Sequence, residues 1–520
     1  MRKLLMIMGL MMIASPLLSD TNRIEVSEDG HCVVVIENSD NEPVITETND
    51  IVPYSEQPDW TCDLRMQVGG LAMADLDGDD DLDLAVGCYH SQSYPPYDDW
   101  RNFILYNIDG QLQSSPVWWS DDESSSTDVR IADFDNDGHP DIFAANGDFA
   151  FQPSRIYYYG DNDSIQTQAG WTASDNTWTT CAASFDFDQD GDIDVATSNQ
   201  GASPDPYRPV HIFINNAGNL ETSPSWSSSA NEISGYLSWG DYNNDGWYDL
   251  AVSKWANFHS GVYRNNEGIV GQSPVFSVNT DDTQKGIGWS YVDDDNYPEL
   301  AIGGSGLPTH LYPNDEGVLG SSPIWQSSNS YHGVQDLTWA DVDNDGDEDL
   351  ATVHFSTGHL RIYLNINGEL EQTPSWQYDA SQVGTAVTFG DINGDGALDL
   401  VMGVSGEPCV MVFYNDAPIS VDENKTFPQT TCLSGNYPNP FNAQTRISFC
   451  LEKRSRVSLQ IYNLLGNHVA TLVDSYCHKG HHNIIWDGTD EHGKQVSSGV
   501  YFCRLETEKE VFTSRMAFLK

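Results

Sequence analysis

Short apolar runs alternate with polar, turn-forming clusters along most of the chain. Residues 129–132 and 141–144, for example, are apolar runs on either side of a polar stretch. Runs of about four residues suit strands and are too short for stable helices. The pattern therefore predicts an all-β protein with many short strands.

The polar stretch at residues 133–141 reads Asp-Phe-Asp-Asn-Asp-Gly-His-Pro-Asp, with carboxylates at positions 1, 3, 5 and 9 and Gly138 at position 6. Such a loop can wrap around one hard cation, because carboxylate oxygens suit Ca²⁺ and glycine permits a sharp turn. We therefore expect a calcium loop between two strands.

The loop occurs seven times, and we number the copies as loops 1–7. They span residues 75–83, 133–141, 186–194, 241–249, 291–299, 341–349 and 391–399. An aromatic residue stands fifteen or sixteen positions before each loop, and a run ending in Asn or Asp and Gly follows it. Each unit reads as four strands, so seven units predict a seven-bladed β-propeller over residues 54–418.

The last unit lacks a fourth strand, whereas a spare Pro-x-Trp stands at residues 58–60. We expect this N-terminal strand to complete the last blade, since a closed ring leaves fewer open edges. Closure would bring Cys62 close to Cys409, and we hypothesise a bridge between them.

The chain ends differ in composition from the repeats. Residues 1–19 have a basic start and a short apolar run, as in a secretory signal peptide, and no later segment is apolar enough to span a membrane. Residues 20–53 are interpreted as a linker or accessory strand, and 419–435 as a linker. Alternating strands in 436–520 predict a small β-sandwich.

Charge restricts the choice of partners. The chain has 78 Asp and Glu against 23 Lys and Arg, a net charge of −55. Nucleic acid and anionic membrane both require positive charge, so neither is expected as a partner. The excess of carboxylates favours bound cations.

The repeats resemble the FG-GAP (VCBS-type) repeats of integrin α-subunit propellers, and the resemblance covers all seven units. It implies Ca²⁺ ligands at the acidic loop positions. These are Asp75, Asp77, Asp79 and Asp83; Asp133, Asp135, Asp137 and Asp141; Asp186, Asp188, Asp190 and Asp194; Asp241, Asn243, Asp245 and Asp249; Asp341, Asp343, Asp345 and Asp349; and Asp391, Asn393, Asp395 and Asp399.

Loop 5 departs from this pattern. It begins with Tyr291 and lacks the glycine, but it keeps Asp293, Asp295 and Glu299. We expect weak or absent binding there, and hence about six calcium sites with a seventh in doubt.

The connections between second and third strands offer a candidate ligand face, opposite the calcium loops. In the first four units they are long and aromatic, with Tyr94, Tyr97, Trp100, Phe149, Phe151, Tyr207, Trp255 and Phe258. Such a surface suits a glycan or a protein, and ordinary loop packing is the alternative. We favour a binding or adhesion module over an enzyme, since no catalytic motif is present; a calcium-dependent polysaccharide lyase is the alternative function.

The C-terminal unit resembles the type A sorting domains of the type IX secretion system, which are close to the Ig-like hook-capping family. The resemblance rests on residues 436–442, 461–466, 486–488, 498–501 and the ending at 515–520. It implies the type IX machinery as a partner, and export from a Gram-negative cell as a secreted or outer-membrane surface protein.

Overall fold

The computed structural model describes most of the chain. It covers residues 23–26, 32–37, 43–47, 52–90, 99–147, 152–160, 164–174, 177–201, 207–229, 233–254, 259–278, 284–293, 295, 297–304, 306, 308–328, 333–355, 358–366, 368–415, 431–437, 445–451, 455–464, 467–477, 480–486, 488–489, 494–507, 509 and 511–518. The regular structure of these residues is β throughout, which confirms the predicted all-β class. None of them forms a helix of the length and hydropathy that a membrane crossing requires. The predicted signal peptide lies outside the described residues.

Three strands come first and form an antiparallel sheet of their own. They are β1 (Arg23–Val26), β2 (Cys32–Glu37) and β3 (Pro43–Glu47). The region expected to be a linker or an accessory strand therefore contains a small three-stranded sheet.

Seven four-stranded sets follow, and we call them blades 1–7. After β4 (Trp60–Cys62), blade 1 has β5 (Met66–Ala74), β6 (Asp83–Cys88), β7 (Phe103–Leu105) and β8 (Trp118–Trp119). Blade 2 has β9 (Ser126–Ala132), β10 (Asp141–Asn146), β11 (Arg155–Tyr157), the hairpin β12 (Tyr159–Gly160) and β13 (Ser164–Ile165), and β14 (Trp171–Thr172). Blade 3 has β15 (Trp178–Phe185), β16 (Asp194–Gln200), β17 (His211–Phe213) and β18 (Trp226–Ser227).

Blades 4–6 each carry an added hairpin before the fourth strand. Blade 4 has β19 (Ser234–Gly240), β20 (Asp249–Lys254), β21 (Ser260–Tyr263), β22 (Asn265–Asn266), β23 (Ile269–Val270) and β24 (Phe276–Val278). Blade 5 has β25 (Gln284–Ser290), β26 (Glu299–Gly304), β27 (His310–Tyr312), β28 (Asn314–Asp315), β29 (Val318–Leu319) and β30 (Trp325–Gln326). Blade 6 has β31 (Val334–Ala340), β32 (Asp349–His354), β33 (His359–Tyr363), β34 (Asn365–Ile366), β35 (Glu369–Leu370) and β36 (Trp376–Asp379). Blade 7 has β37 (Val383–Gly390), β38 (Asp399–Gly406) and β39 (Val410–Phe413).

The first strand of each blade lines the middle of a closed ring. Strands β5, β9, β15, β19, β25, β31 and β37 contact one another in that order, and β37 contacts β5 in turn. Within each blade the strands pair antiparallel from first to fourth. Sheets that follow one another around a closed ring have the arrangement of a β-propeller.

The N-terminal strand β4 completes blade 7, as the spare Pro-x-Trp predicted. Thr61 pairs with Met411, and Val410 pairs with Cys62. The Tyr54 hydroxyl adds an anchor by donating to the carbonyl of Leu398 at 2.6 Å. This pairing places the two ends of the ring in one sheet.

The hypothesised bridge within this closure is not formed. The Cys409 N–H donates to the Cys62 carbonyl at 3.0 Å, so the two residues adjoin as expected. Both thiols are nevertheless free and fully buried. They contact each other as a hydrogen-bonded pair, which lowers the pKa of Cys62.

Tryptophans of the fourth strands hold neighbouring blades together. Each indole N–H donates to a carbonyl of the next blade; the pairs are Trp118 with Ile165, Trp171 with Leu220, Trp226 with Val270, Trp325 with Glu371, and Trp376 with Ser55. The same rings meet a tyrosine or phenylalanine edge-on, for instance Trp118 and Tyr157 at 5.6 Å. The aromatic residues that precede the loops therefore pack between neighbouring blades.

A second compact unit begins at Ser420. Its strands are β40 (Cys432–Tyr437), β41 (Thr445–Leu451), β42 (Ser455–Asn463), β43 (His468–Cys477), β44 (Gly480–Trp486), β45 (Gly499–Thr507) and β46 (Val511–Phe518). They form sheets of three and four strands that share one core, so the unit is a two-layered β structure. Strand β40 begins inside the stretch interpreted as a linker, and a disulfide joins Cys432 to Cys450.

Candidate metal sites

Each acidic loop joins the first and second strands of its blade, and loops 1–4, 6 and 7 are folded by hydrogen bonds to their first carboxylate. In loop 2, Asp137 N–H donates to Asp133 Oδ1 at 3.1 Å, and Gly138 N–H donates to Asp133 Oδ2 at 2.8 Å. Loops 3, 4, 6 and 7 repeat this pair of bonds. The aspartate at position 1 therefore organises the turn, as short polar side chains do in loops.

Positions 4 and 6 of loops 1–4, 6 and 7 have left-handed backbone. In loop 2 the φ angles are 60° at Asn136 and 91° at Gly138. Glycine adopts this conformation without steric cost. Loop 1 instead has Asp80 at position 6, with a φ of 73°. The strain is confined to position 6, because loop 1 has Gly78 at position 4, where loops 2, 3, 4 and 6 have a left-handed asparagine or glutamine.

Carboxylates at positions 1, 3 and 9 converge. In four loops one oxygen from each of the three lies within 4.8 Å of the others; the groups are Asp75, Asp77 and Asp83; Asp133, Asp135 and Asp141; Asp186, Asp188 and Asp194; and Asp341, Asp343 and Asp349. Position 5 is outside these groups, and its carboxylate accepts a local N–H, as Asp137 Oδ1 does from His139 at 2.9 Å. The structure thus brings together three of the four acidic residues predicted for each of these loops.

Loops 4 and 7 have an amide at position 3. Asn243 Oδ1 accepts from Asp245 N–H at 3.0 Å, and Asn393 Oδ1 accepts from Asp395 N–H at 2.9 Å. Asp135 Oδ1 accepts the equivalent N–H in loop 2. The amide oxygen therefore takes the place of the carboxylate oxygen, and both are ligands that hard cations accept.

The carboxylate at position 9 is the buried member of each site. Asp141 is fully buried, and its two oxygens accept the N–H groups of Phe134 at 2.9 Å and Tyr159 at 2.8 Å. Burial, the largest cause, raises the pKa of Asp141 to about 7. The same cause raises the pKa of Asp83, Asp194, Asp249 and Glu299 to about 7, of Asp349 to about 8 and of Asp399 to about 6. A cation beside these groups would favour their ionised forms.

Buried acceptor atoms test whether the loops fit a metal ion. Asp77 Oδ1 in loop 1 and Asp249 Oδ2 in loop 4 are buried, and neither has a hydrogen-bond partner among the described residues. In loop 2 the N–H at position 2 donates to Oδ2 of the position-9 carboxylate. In loop 4 the N–H at position 2, that of Tyr242, donates to the Gly240 carbonyl instead, so Asp249 Oδ2 has no such donor. Unpartnered carboxylate oxygens in an all-oxygen donor set fit a hard cation.

Loop 5 keeps the frame of the site without the full ligand set. Tyr291 replaces the first aspartate, and its side chain is 51% exposed. Glu299 still accepts the N–H groups of Val292 at 3.2 Å and Asn314 at 3.3 Å. The described part of this loop contains no converging group of three acids. Asp293 and Asp295 therefore remain weaker candidates.

Sequence reasoning missed an asparagine that follows the third strand. In six blades its Nδ2 donates to the carbonyl at position 2 of the preceding blade's loop; the pairs are Asn107 with Ile392, Asn215 with Phe134, Asn265 with Phe187, Asn314 with Tyr242, Asn365 with Val292, and Asn415 with Val342. The distances are 2.7–2.9 Å. A signal was present in the sequence, because in five of the six cases the asparagine stands three residues before a turn glycine.

Turn glycines add a second contact between blades. A Cβ on Gly218, after the third strand of blade 3, would lie 2.2 Å from the Asp135 carbonyl oxygen of loop 2. A Cβ on Gly110 of blade 1 would lie 2.9 Å from the carbonyl oxygen of Asn393 in loop 7. Each of these turns therefore packs on position 3 of the preceding loop. This places the turns on the same face as the loops.

The predicted ligand face is described only in part. Trp100 lies against His90 with 4.6 Å between ring centres, and Tyr207 is 41% exposed. The other six predicted residues, Tyr94, Tyr97, Phe149, Phe151, Trp255 and Phe258, lie outside the described residues.

A cavity of about 380 Å³ occupies the middle of the ring. Asp128 and Arg130 form an ion pair in its wall at 2.8 Å. Asp336, in blade 6, accepts N–H groups from Leu337 at 3.0 Å and Val387 at 3.2 Å. Burial raises the pKa of Asp336 to about 7, and the bond from Val387 and the charge of Arg130 oppose that shift. Trp289 and Trp339 also line this cavity.

Comparison with known proteins identifies two families in the chain. The FG-GAP-like repeat matches residues 75–144, 186–252 and 349–402. The secretion system C-terminal sorting domain matches residues 436–518. No curated protein matches the chain.

Two similar solved structures are crystal structures of BBS1N in complex with ARL6DN. In the crystal soaked with mercury, the identity is 12%, the TM-score is 0.49, and the match covers 71% of this chain and 98% of that one. In the crystal soaked with lead, the identity is 12%, the TM-score is 0.45, and the match covers 69% of this chain and 96% of that one.

Proposed function

Because the chain carries FG-GAP-like repeats and a type IX secretion system C-terminal sorting domain, we propose that it is an exported calcium-binding propeller that acts as a binding or adhesion module. The observation that carries the calcium assignment is the convergence of positions 1, 3 and 9 in four separate loops. The sorting domain implies handling by the type IX machinery and a secreted or cell-surface location. A Gram-negative outer membrane is the surface we propose.

Calcium is favoured over other cations by the chemistry of the donors. The ligands would be carboxylate and amide oxygens, which calcium prefers, and the described sites bring no sulfur or imidazole into the groups. Loops 1–4, 6 and 7 would bind, with loop 5 weak or empty. Extracellular modules of this kind bind calcium with a Kd of roughly 10⁻⁴–10⁻³ M.

The role proposed for calcium is structural. Several carboxylates in one turn repel each other, and the position-9 group is buried, so the ionised loops destabilise the ring without a counter-ion. A bound cation would offset this repulsion at the junction of neighbouring blades. Binding of a ligand would then fall to the opposite face.

Thermal unfolding with and without calcium tests this role. We expect EGTA to lower the Tm and added Ca²⁺ to restore it. Asp188→Ala at position 3 of loop 3 should reduce the calcium-dependent rise, whereas Asp293→Ala at the same position of loop 5 should leave it unchanged. A Tm that does not respond to EGTA would contradict structural calcium binding.

The binding role needs a separate test. Trp100 and Trp255 represent the aromatic connections of blades 1 and 4, and aromatic rings suit both sugars and protein surfaces. We expect the calcium-loaded protein to bind components of a glycan array, and the double variant Trp100→Ala, Trp255→Ala to lose that binding with its Tm intact. Unchanged binding in the variant would eliminate this face.

A further inference from the structure

One amide side chain connects each pair of neighbouring metal loops in most of the ring. We propose that these asparagines couple the loops, so that the loops bind calcium as a linked series and not as independent sites. The inference rests on the proposed calcium binding.

Asn265 shows how the connection is made. Its Nδ2 donates to the Phe187 carbonyl of loop 3 at 2.8 Å and to the Tyr248 carbonyl of loop 4 at 3.2 Å. Its backbone N–H donates to Asp249 Oδ1, at position 9 of loop 4, at 2.7 Å. A single buried residue therefore contacts both loops.

The contact reaches a candidate ligand on each side. Phe187 N–H donates to Asp194 Oδ2, at position 9 of loop 3, at 3.4 Å. The path runs from Asp194 through Phe187 and Asn265 to Asp249, and each step is a hydrogen bond. A cation that fixes Asp194 would thus also fix the residue that positions Asp249.

Other blades repeat the arrangement. The backbone N–H of the asparagine donates to position 9 of its own loop in each case: Asn107 to Asp83, Asn215 to Asp194, Asn314 to Glu299, Asn365 to Asp349, and Asn415 to Asp399. The six asparagines are 0–4% exposed. Buried polar groups of this kind seldom lose their partners, so the contacts are expected to act together.

Blade 2 interrupts the series. Tyr159 stands where the asparagine is expected, and its N–H still donates to Asp141 Oδ1 at 2.8 Å. Its ring stacks on His139 at 4.4 Å. Among the residues described, no side-chain amide donates to the Leu76 carbonyl of loop 1. The linked order is therefore loop 2, 3, 4, 5, 6, 7 and then 1, with a break between loops 1 and 2.

Loop 5 has a role in this series even with weak or absent calcium binding. Asn365 donates to its Val292 carbonyl at 2.8 Å, and Glu299 accepts from Asn314. The loop therefore keeps both connections although its first ligand is lost. We infer that it transmits the position of loop 4 to loop 6.

Loop 4 offers a way to measure one site alone. Trp247 at its position 7 is the only tryptophan within the seven loops. Terbium substitutes for calcium and emits when a nearby indole is excited. The part of the signal that Trp247→Phe removes would therefore report Tb³⁺ at loop 4.

The experiment measures how removal of loop 3 affects loop 4 in the full chain. We expect Asp186→Ala in loop 3 to weaken Tb³⁺ binding at loop 4 about fivefold, the low end of typical coupling between sites. When Asn265→Leu is also present, Asp186→Ala should leave Tb³⁺ binding at loop 4 unchanged. The control is Asn266→Leu, at the exposed neighbouring position. In this variant Asp186→Ala should still weaken Tb³⁺ binding at loop 4. Asn265→Ala serves if the leucine variant does not fold.

Three outcomes would overturn the coupling. Loop 4 affinity that is equal with and without Asp186→Ala would show independent sites. A dependence that persists in the Asn265 variants would show that the amide is not the connection. Absence of any Trp247-dependent signal in the wild-type chain would contradict metal binding at loop 4 itself, which separates failure of the proposed function from failure of the coupling.

Discussion

Individual carboxylates within one loop differ in their burial and in their hydrogen bonds. Asp133 at position 1 folds its loop by accepting two N–H groups, whereas Asp141 at position 9 is buried and joins the loop to the following strand. Burial raises the pKa of Asp141 to about 7, so this group gains most from a nearby cation. The two aspartates therefore have different structural roles within one nine-residue loop.

Asp80 provides a residue-scale prediction. Its φ of 73° suits glycine, which stands at position 6 in loops 2–4, 6 and 7. We expect Asp80→Gly to increase the free energy of unfolding by about 1 kcal/mol in calcium, because left-handed backbone costs that much for other residues. Urea unfolding measures the change.

Gly138→Asp in loop 2 is the matched opposite of this substitution. A Cβ at Gly138 would meet nothing within 4 Å, so its cost is confined to the backbone. It should destabilise the protein by a similar amount. Equal stability of wild type and Asp80→Gly would refute the strain assigned to loop 1.

Asp336 provides a prediction about pH. Its folded pKa of about 7 lies above the ordinary value of about 3.9, so the folded state binds a proton that the unfolded state releases. The stability that this proton contributes is present at acidic pH and is lost as pH rises toward 7. In saturating calcium, we expect the Tm of wild type to fall more between pH 5 and pH 8 than that of Asp336→Asn. Exposed Asp315→Asn is the control, and equal slopes in all three proteins would contradict the prediction.

At the scale of elements, the ring depends on a strand from outside the repeats. Strand β4 pairs with β39, and Tyr54, Ser55 and Asp59 add bonds to blade 7 and its neighbour. Without β4, blade 7 has three strands and an open edge, which invites association with other chains.

Truncation tests the contribution of β4. A chain that begins at residue 64 should lose at least about 3 kcal/mol of stability, since several hydrogen bonds and the buried Tyr54 side chain are removed. It should also form oligomers in size-exclusion chromatography. A chain that begins at residue 52 is the control and should behave as wild type. A monomeric, equally stable short chain would show that closure is dispensable.

Strands, loops and closure were predictable because each leaves a local pattern. Residues 129–132 and 141–144 predicted the strands that flank loop 2, and Trp60 predicted the strand that completes blade 7. The asparagine links were not predictable, because Asn265 and Phe187 are 78 residues apart in sequence and meet only once two blades pack. The absence of position 5 from the converging groups likewise depends on the folded geometry of the loop. Spacing alone does not determine that geometry.

The whole molecule divides into two units with separate cores. The ring carries the candidate metal sites, and the second unit coincides with the sorting domain that matches residues 436–518. The second unit begins at Ser420, before the start of β40 at Cys432.

Removal of residues 420–520 tests this division. We expect the shortened chain to keep the calcium-dependent Tm of the ring, since no strand of the ring is removed. We also expect it to accumulate in the periplasm of its producing cell, because the sorting domain is gone. Immunoblots of cell fractions measure the location, with the full chain as control. Normal export of the shortened chain would contradict the sorting role.

The asparagine links also give the ring a direction. In each of blades 3 to 7 the asparagine donates a hydrogen bond to the loop of the blade that precedes it in sequence. The asparagine of blade 1 donates to loop 7. When the chain emerges with its N-terminus first, each of loops 2 to 6 gains its asparagine contact as soon as the next blade has formed. Only loop 7 waits for the two ends to meet. Assembly during translocation would then proceed blade by blade, and the meeting of the two ends of the ring would come last. Calcium outside the cytoplasm would stabilise each loop in turn.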